Sequence, residues 1–375
     1  MRKGKIIIVR GDALEMGITQ GKFLRQEIQK GWEIVYNYPP INKIKPTYLP
    51  TGLFLFGAGI WANSFLSPTF QVFPTFYERF EGICQGAEIS HWKLALIHFI
   101  EVAGSDSPRQ LMGCSSVAVV PPRSDEPILV KNFDFVDDFI EFNIIRQSFT
   151  RWGYSSAEFT MAPISGSHTG INEAGLAITY NYGYSKEKPQ KAPLLTARVQ
   201  EILNTCETVR DTVNILRRKP NPGHGIITVV DSNGDAVAIE LSPLGTGIVE
   251  AEDGIIANAN LYHNPQMQKR LIPLDAVYGE NAPEYMRGVK IQETNVIRTE
   301  RLNKLLSKNK KIDMDILKTI LSDHGENNHP DENTICRHHE NFSTHLSAIM
   351  LPRSRKMYYI WGQPCKTDKW QEMRM

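Results

Sequence analysis

The feature that most constrains this chain is a change of hydrophobic period near residue 113. Before it, one short apolar run (Ile6 to Val9) gives way to apolar residues at Ile18, Leu24, Ile28 and Trp32, which predict a helix over Glu15 to Val35. Further helices are expected over Thr75 to Ala87 and Trp92 to Val102. Past Cys114 the pattern changes to short strands bounded by turns: Ser115 to Val120, Ile128 to Val130, Gly175 to Tyr180, Gly225 to Val230 and Ala236 to Leu241. Later ones are expected at Thr246 to Glu250, Gly254 to Ala259, Ser347 to Met350 and Lys356 to Trp361. Asp231-Ser232-Asn233-Gly234 reads as a hairpin turn. Helices interrupt the strands at Leu194 to Asn204, Val209 to Arg217, Ile297 to Leu306 and Met314 to Ser322, which implies helices layered over sheets. A length of 375 residues allows two domains, or one large layered domain with an appended segment.

Lys and Arg number 42 against 41 Asp and Glu, a formal charge of +1. Neither that balance nor any aromatic-basic strand pair points to nucleic acid. Five dispersed cysteines without a C-x-x-C pair fit a reduced compartment better than a disulfide framework. The first apolar run is too short for a secretory signal, so a cytoplasmic location is expected. Leu53 to Leu66, interrupted by Gly57, Gly59, Asn63 and Ser64, falls short of a spanning helix. It reads as a buried helix or one covered by a partner or second copy, with a lid over a greasy substrate or a membrane-touching patch as alternatives.

Gly113-Cys114-Ser115-Ser116 lies at the junction of the two textures. A cysteine there serves either as an internal hydrophobe or as a nucleophile. The preceding glycine relaxes the backbone and the following hydroxyls supply hydrogen bonds, conditions for the thiol to attack the preceding carbonyl and cut its own chain. Cys114 would then begin a new chain, and its α-amine, with a pKa of about 7.7–8.0, would act as base for its own thiol. Cys114 lacks the local setting of a papain-like enzyme.

Lys131-Asn132-Phe133-Asp134-Phe135 closes the next strand, where an antiparallel return would bring Asp134 to Cys114; a plain turn residue is the alternative. Asn258 and Asn260, and Asn181 beside Tyr180, either form turns or donate to an oxyanion. Asp323, His324, His329, Cys336, His338 and His339 match no standard zinc spacing and read as a pocket-lining loop, with no metal or other cofactor assigned. Ser165-Gly166-Ser167-His168 lacks the full serine-hydrolase elbow, and phosphate-binding glycine loops are absent from the sequence.

These segments, in this order, resemble the N-terminal-nucleophile (Ntn) cysteine hydrolases of the isopenicillin N acyltransferase (acyl-coenzyme A:6-aminopenicillanic acid acyltransferase) family, relatives of choloylglycine hydrolase, penicillin V acylase and acid ceramidase. Gly11 to Gly17 with Gly21 is similar to the family's opening motif, Glu81 to Ala87 to its pre-nucleophile helix, and Gly170 to Leu176 to the turn before the second strand pair. Thr334 to His338 and Trp361 to Pro364 are similar to its C-terminal signatures, while Lys131 stands where the bile-salt and ceramide relatives have an arginine.

The resemblance implies an α+β fold, a four-layer αββα sandwich with a helical N-terminal segment. It implies a precursor cut between Gly113 and Cys114 into pieces of 113 and 375 − 113 = 262 residues, 1–113 and 114–375. It implies catalysis by Cys114, Asp134 and Asn260 through a thioester, with Asn181, Tyr180, Lys131 and Arg337 binding substrate or oxyanion and the last two at the pocket edge. The expected partner is a small linear amide, with a coenzyme A thioester as a further acyl donor. A non-catalytic or partner-activated binding protein that stays uncut is the alternative.

Overall fold

The computed structural model describes residues 4–38, 44–103, 113–217, 220–280, 282 and 284–375; residues 104–112, leading into the expected cleavage point, lie outside them. The N-terminal part gives strand β1 (Lys5–Gly11) and helices α1 (Ala13–Phe23), α2 (Arg25–Tyr36), α3 (Thr51–Val72), α4 (Pro74–Ala87) and α5 (His91–Ala103). The helix expected over Glu15 to Val35 is two helices, broken at Leu24 with φ −112° and ψ 21°. The period runs through the break because Leu24 and Ile28 enter the same apolar cluster.

Strands β2 (Gly113–Val119), β3 (Ile128–Val136), β4 (Asn143–Thr150), β5 (Ser156–Met161), β6 (Thr169–Asn172) and β7 (Leu176–Tyr182) follow. After α6 (Leu195–Thr205) and α7 (Val209–Leu216) come β8 (Gly225–Asp231), β9 (Ala236–Ser242), β10 (Gly245–Glu250) and β11 (Ile255–Asn258). Helices α8 (Glu293–Ser307) and α9 (Met314–Leu321) precede β12 (Phe342–Leu351), β13 (Lys356–Trp361) and β14 (Gln371–Arg374). One sheet has the order β1-β4-β5-β6-β7-β8-β9-β10 and the other β11-β2-β3-β12-β13-β14. Pairing is antiparallel except for β1 with β4.

Three apolar clusters separate four layers. Side chains such as Ala118, Leu129, Phe133, Phe159, Ala177 and Leu346 fill the space between the sheets. Leu176, Ile178, Val229 and Ile239 turn the other way and pack under Val199 and Ile202 of α6. Val117, Val119, Ile128 and Val130 pack under Leu302 of α8 and Leu317 of α9. The fold is therefore the αββα sandwich that the resemblance implies.

Helices α1 and α4 cross with almost no gap. A Cβ at Gly17 would lie 2.3 Å from the Arg79 carbonyl oxygen, and one at Gly82 2.3 Å from that of Leu14. Gly21 and Gly86 repeat the contact one turn on. The two N-terminal motifs thus encode helix contact rather than chemistry.

Helix α3 runs for 22 residues, which corrects the shorter apolar stretch read from the sequence; by length and composition alone it is long enough to cross a membrane. It is only partly buried: Leu55, Ala62 and Leu66 face the core, while Leu53, Phe56, Ile60 and Trp61 are exposed.

Candidate active site

The antiparallel pair β2/β3 sets Gly113 opposite Asp134 and Cys114 opposite Phe133. Alternation then divides the neighbours of Cys114 between two faces. Its side chain shares the inter-sheet face with Phe133, whereas Ser115 meets Arg298 on the α8 side. The thiol is 3% exposed and lines a cavity of about 100 Å³. Walls come from Val35, Ile97, Ile100, Phe135, Phe139, Met161 and Tyr180, and the cavity is almost wholly apolar.

Two polar contacts hold the backbone of Cys114, and two more tie Arg298 to Ser115 and Asn260. The Cys114 N–H donates to Asn260 Oδ1 at 2.8 Å, and its carbonyl accepts from Arg298 Nη1 at 2.9 Å. Arg298 Nη1 also donates to Ser115 Oγ, and Nη2 to Asn260 Oδ1. Because that oxygen accepts two donors, the amide orientation of Asn260 is set, and Nδ2 donates to the Tyr182 carbonyl at 2.8 Å. Asn260 has φ +68°, a left-handed conformation that asparagine tolerates better than most residues, and Asn258 Oδ1 holds its N–H.

Asp134 is buried, and burial raises its carboxyl pKa against the opposing pull of Arg337, then Arg298, the Thr344 hydrogen bond and His345. Oδ1 accepts from Thr344 Oγ1 at 2.7 Å. Oδ2 is closed to solvent and has no hydrogen-bond partner; Arg298 Nη1 is 4.0 Å away. A bulge in β12 between Thr344 and Leu346 aims Thr344 at this carboxylate.

Lys131 is fully buried and not at a pocket edge: its ammonium donates to the Tyr180 carbonyl and bonds the thiol. Burial lowers its pKa. Burial raises that of Cys114, with Lys131 opposing and Asp134 adding to the rise. Arg337 is also buried rather than at the rim, since a Cβ on Gly113 would lie 1.9 Å from its Nη1. Gly113 leaves room for that guanidinium, and its backbone is not left-handed. Asn181 is not among the residues lining the cavity and donates across the sheets to Ser116 Oγ at 2.9 Å, whereas Tyr180 lines it.

The structure thus gathers Cys114, Asp134, Asn260 and Lys131 around one peptide unit, with Arg337 behind it and Asn181 reaching across from the other sheet to Ser116. Sequence reasoning missed Arg298 and Thr344. On a helix that also shows Glu293, Glu300, Arg301 and Lys304, one more arginine carries no signal.

A family model described as acyl-coenzyme A:6-aminopenicillanic acid acyl-transferase matches residues 122–366. It begins after Cys114, so the reading of that residue rests on the geometry around it. No curated protein matches by sequence. Among solved structures, a variant of conjugated bile acid hydrolase from Clostridium perfringens is 13% identical, covering 70% of this chain and 92% of its own, with a TM-score of 0.47. An N-acylethanolamine-hydrolyzing acid amidase ortholog from Caenorhabditis elegans is 15% identical over 64% and 93%, with a TM-score of 0.43. Penicillin V acylase from Agrobacterium tumefaciens is 12% identical over 70% and 86%, with a TM-score of 0.41.

Proposed function

The chain belongs to the acyl-coenzyme A:6-aminopenicillanic acid acyl-transferase family, and from that premise we propose that it is a self-processing cysteine amidohydrolase or acyltransferase acting on a linear amide with a small apolar acyl group. The observation that carries this reading is the unpartnered Oδ2 of Asp134 across the strand pair from Gly113. A buried carboxylate oxygen without a donor is costly. An ammonium group created at residue 114 supplies the missing donor.

In processing, the Cys114 sulfur attacks the Gly113 carbonyl carbon, the Gly113–Cys114 C–N bond breaks, and a thioester joins the two pieces. Breaking the C–N bond frees the α-amine of Cys114, and water then hydrolyses the thioester, releasing a carboxylate at Gly113 and the Cys114 thiol. In turnover the amine takes the thiol proton, and the thiolate, paired with Lys131, attacks the substrate carbonyl. Of the two hydrogens on Asn260 Nδ2 one bonds the Tyr182 carbonyl, and the other is assigned to the tetrahedral oxygen. Collapse of the intermediate breaks the amide bond, and the leaving amine takes its proton from the α-ammonium, held by Asp134. Water or an acceptor amine then takes the acyl group. Pockets that accept drug-sized ligands measure about 300–1,000 Å³, so a cavity of about 100 Å³ favours a short acyl chain.

The test compares wild type with Cys114→Ala by intact mass and denaturing gel, followed by thioester trapping with an amide panel. The wild type is expected to give two pieces and an acyl group on Cys114. Self-cleavage that persists in Cys114→Ala, or an acyl group trapped on another residue, refutes the mechanism. A wild type that stays a single inactive chain leaves the non-catalytic binding protein in its place.

A further inference from the structure

The loop that carries Arg337 brings together side chains for which the reaction has no use. His324 follows α9, Cys336 and His338 flank Arg337, and Cys365 comes from the turn after β13. One donor atom from each lies within 4.8 Å of every other. We propose that His324, Cys336, His338 and Cys365 form a structural zinc site that fastens the Arg337 loop and the C-terminal turn to the sandwich.

His338 Nε2 lies 3.4 Å from the Cys336 sulfur and 3.3 Å from that of Cys365. One ring nitrogen has at most one proton and cannot satisfy both sulfurs, but all three atoms suit one metal. His324 belongs to the same cluster, and its Nε2 is closed to solvent and has no hydrogen-bond partner. Zn–S bonds of about 2.3 Å and Zn–N bonds of about 2.0–2.1 Å give a tetrahedron with edges of about 3.3–3.8 Å. Two edges are already met, and the others, each within 4.8 Å, need a contraction of at most about 1.5 Å. Two thiolates balance the charge of Zn²⁺, and a sulfur–imidazole donor set favours it over magnesium or calcium. Four protein ligands leave no open position, which makes the site structural rather than catalytic.

The supporting shell is in place. The Cys336 N–H donates to the Asp323 carbonyl, and the His338 N–H to that of Asp331. Sequence spacing hides the site because Cys365 reaches it only through the fold, and the neighbouring His329 and His339 are not part of it. The consequence reaches Gly113: Arg337 sits between two ligands, so the metal holds in place the guanidinium that packs on that residue.

Zinc content is measured on the full chain as Cys114→Ala, so that the result is independent of cleavage and of the proposed activity. One zinc per chain is expected, and Co²⁺ alone, added after chelation, should give the thiolate-to-cobalt and ligand-field bands of a tetrahedral site. Cys365→Ser removes an exposed ligand and His324→Gln a loop ligand; each should lose the bands and weaken zinc binding by at least about tenfold, while Cys206→Ser keeps both. Circular dichroism confirms that the variants are folded. Substoichiometric zinc together with no cobalt bands, zinc retained by both ligand variants, or a Cys336–Cys365 disulfide in the intact mass each overturns the proposal.

Discussion

Arg298 reaches the Cys114 carbonyl, Ser115, Asn260 and Asn295 with one guanidinium and stands 4.0 Å from Asp134, all without exposure to solvent. Only a rigid planar fork serves so many acceptors at once. Arg298→Met removes the cation while keeping much of the volume. Two effects follow. Asn260 and the nucleophile's carbonyl lose a charged donor, and kcat should fall by about 10²–10³, as for other positioned donors. Asp134 also loses one of the charges that oppose its burial, so its pKa rises further. Its carboxylate is needed ionised, and activity fails as pH falls through its pKa. The acid limb of the kcat/KM profile should therefore move to higher pH in Arg298→Met than in wild type, measured on already cleaved protein. An unmoved limb would show that Arg298 and Asp134 are not coupled. Lys131 teaches a related lesson. Standing where the bile-salt and ceramide relatives have an arginine, it is expected at the pocket edge, yet its ammonium is buried beside the thiol, a placement set by strand pairing that no spacing rule shows.

At the scale of elements, the contact between α1 and α4 depends on four glycines, and a side chain there meets backbone that cannot yield. Gly17→Val should destabilise the protein by about 1–3 kcal/mol or more through overpacking. Gly57→Ala, in an exposed turn of α3 where a Cβ meets nothing within 4 Å, should stabilise by up to about 1 kcal/mol. Urea midpoints of the two variants read opposite signs, and equal effects would refute the packing argument. The same physics decides what the sequence revealed. Strands with an apolar face, such as β8, β9 and β13, were legible from alternation. Strands β4 and β5 were not, because their central positions hold Arg146 and Glu158, paired and fully buried. Burial pushes the Glu158 pKa up, but Arg146 and then Arg79, with hydrogen bonds from Ser156 and Gln200, outweigh it and hold the pKa down at about 2. A pattern reader sees charged residues and infers a loop. That Cys114, Asp134 and Asn260 come together was foreseeable because each lies near the end of a strand. Arg298 and Cys365 arrive from elements whose approach only the fold determines.

Across the whole molecule, cleavage after Gly113 would sever the chain without separating what it joins. Residues before the cut supply β1, whose Ile7 and Val9 are buried in register against β4. They send Arg79 to Gln200 at 3.1 Å and Gln20 to the Ala162 carbonyl at 2.9 Å, and Arg146 returns a bond to Gln20 at 2.8 Å. Glu101 accepts the Leu195 N–H at the start of α6 and is pushed up to about 7 by burial, which the Thr196 bonds oppose. Val35, Ile97 and Ile100 from the same part wall the cavity at Cys114. The smaller piece contributes a single strand among the described residues and cannot close a core alone. Separating the pieces would expose the apolar cluster between the sheets and leave buried charges such as Glu158 without Arg79. The cleaved protein should therefore elute as one species on native size exclusion, in moderate salt as in low salt, and divide into two only in denaturant. The larger piece recovered alone should bind no amide substrate, because one wall of its acyl pocket has left with the other piece. Two peaks under native conditions, or full activity in the isolated larger piece, would mean that the N-terminal helices are a removable prosegment and not a structural half of the enzyme.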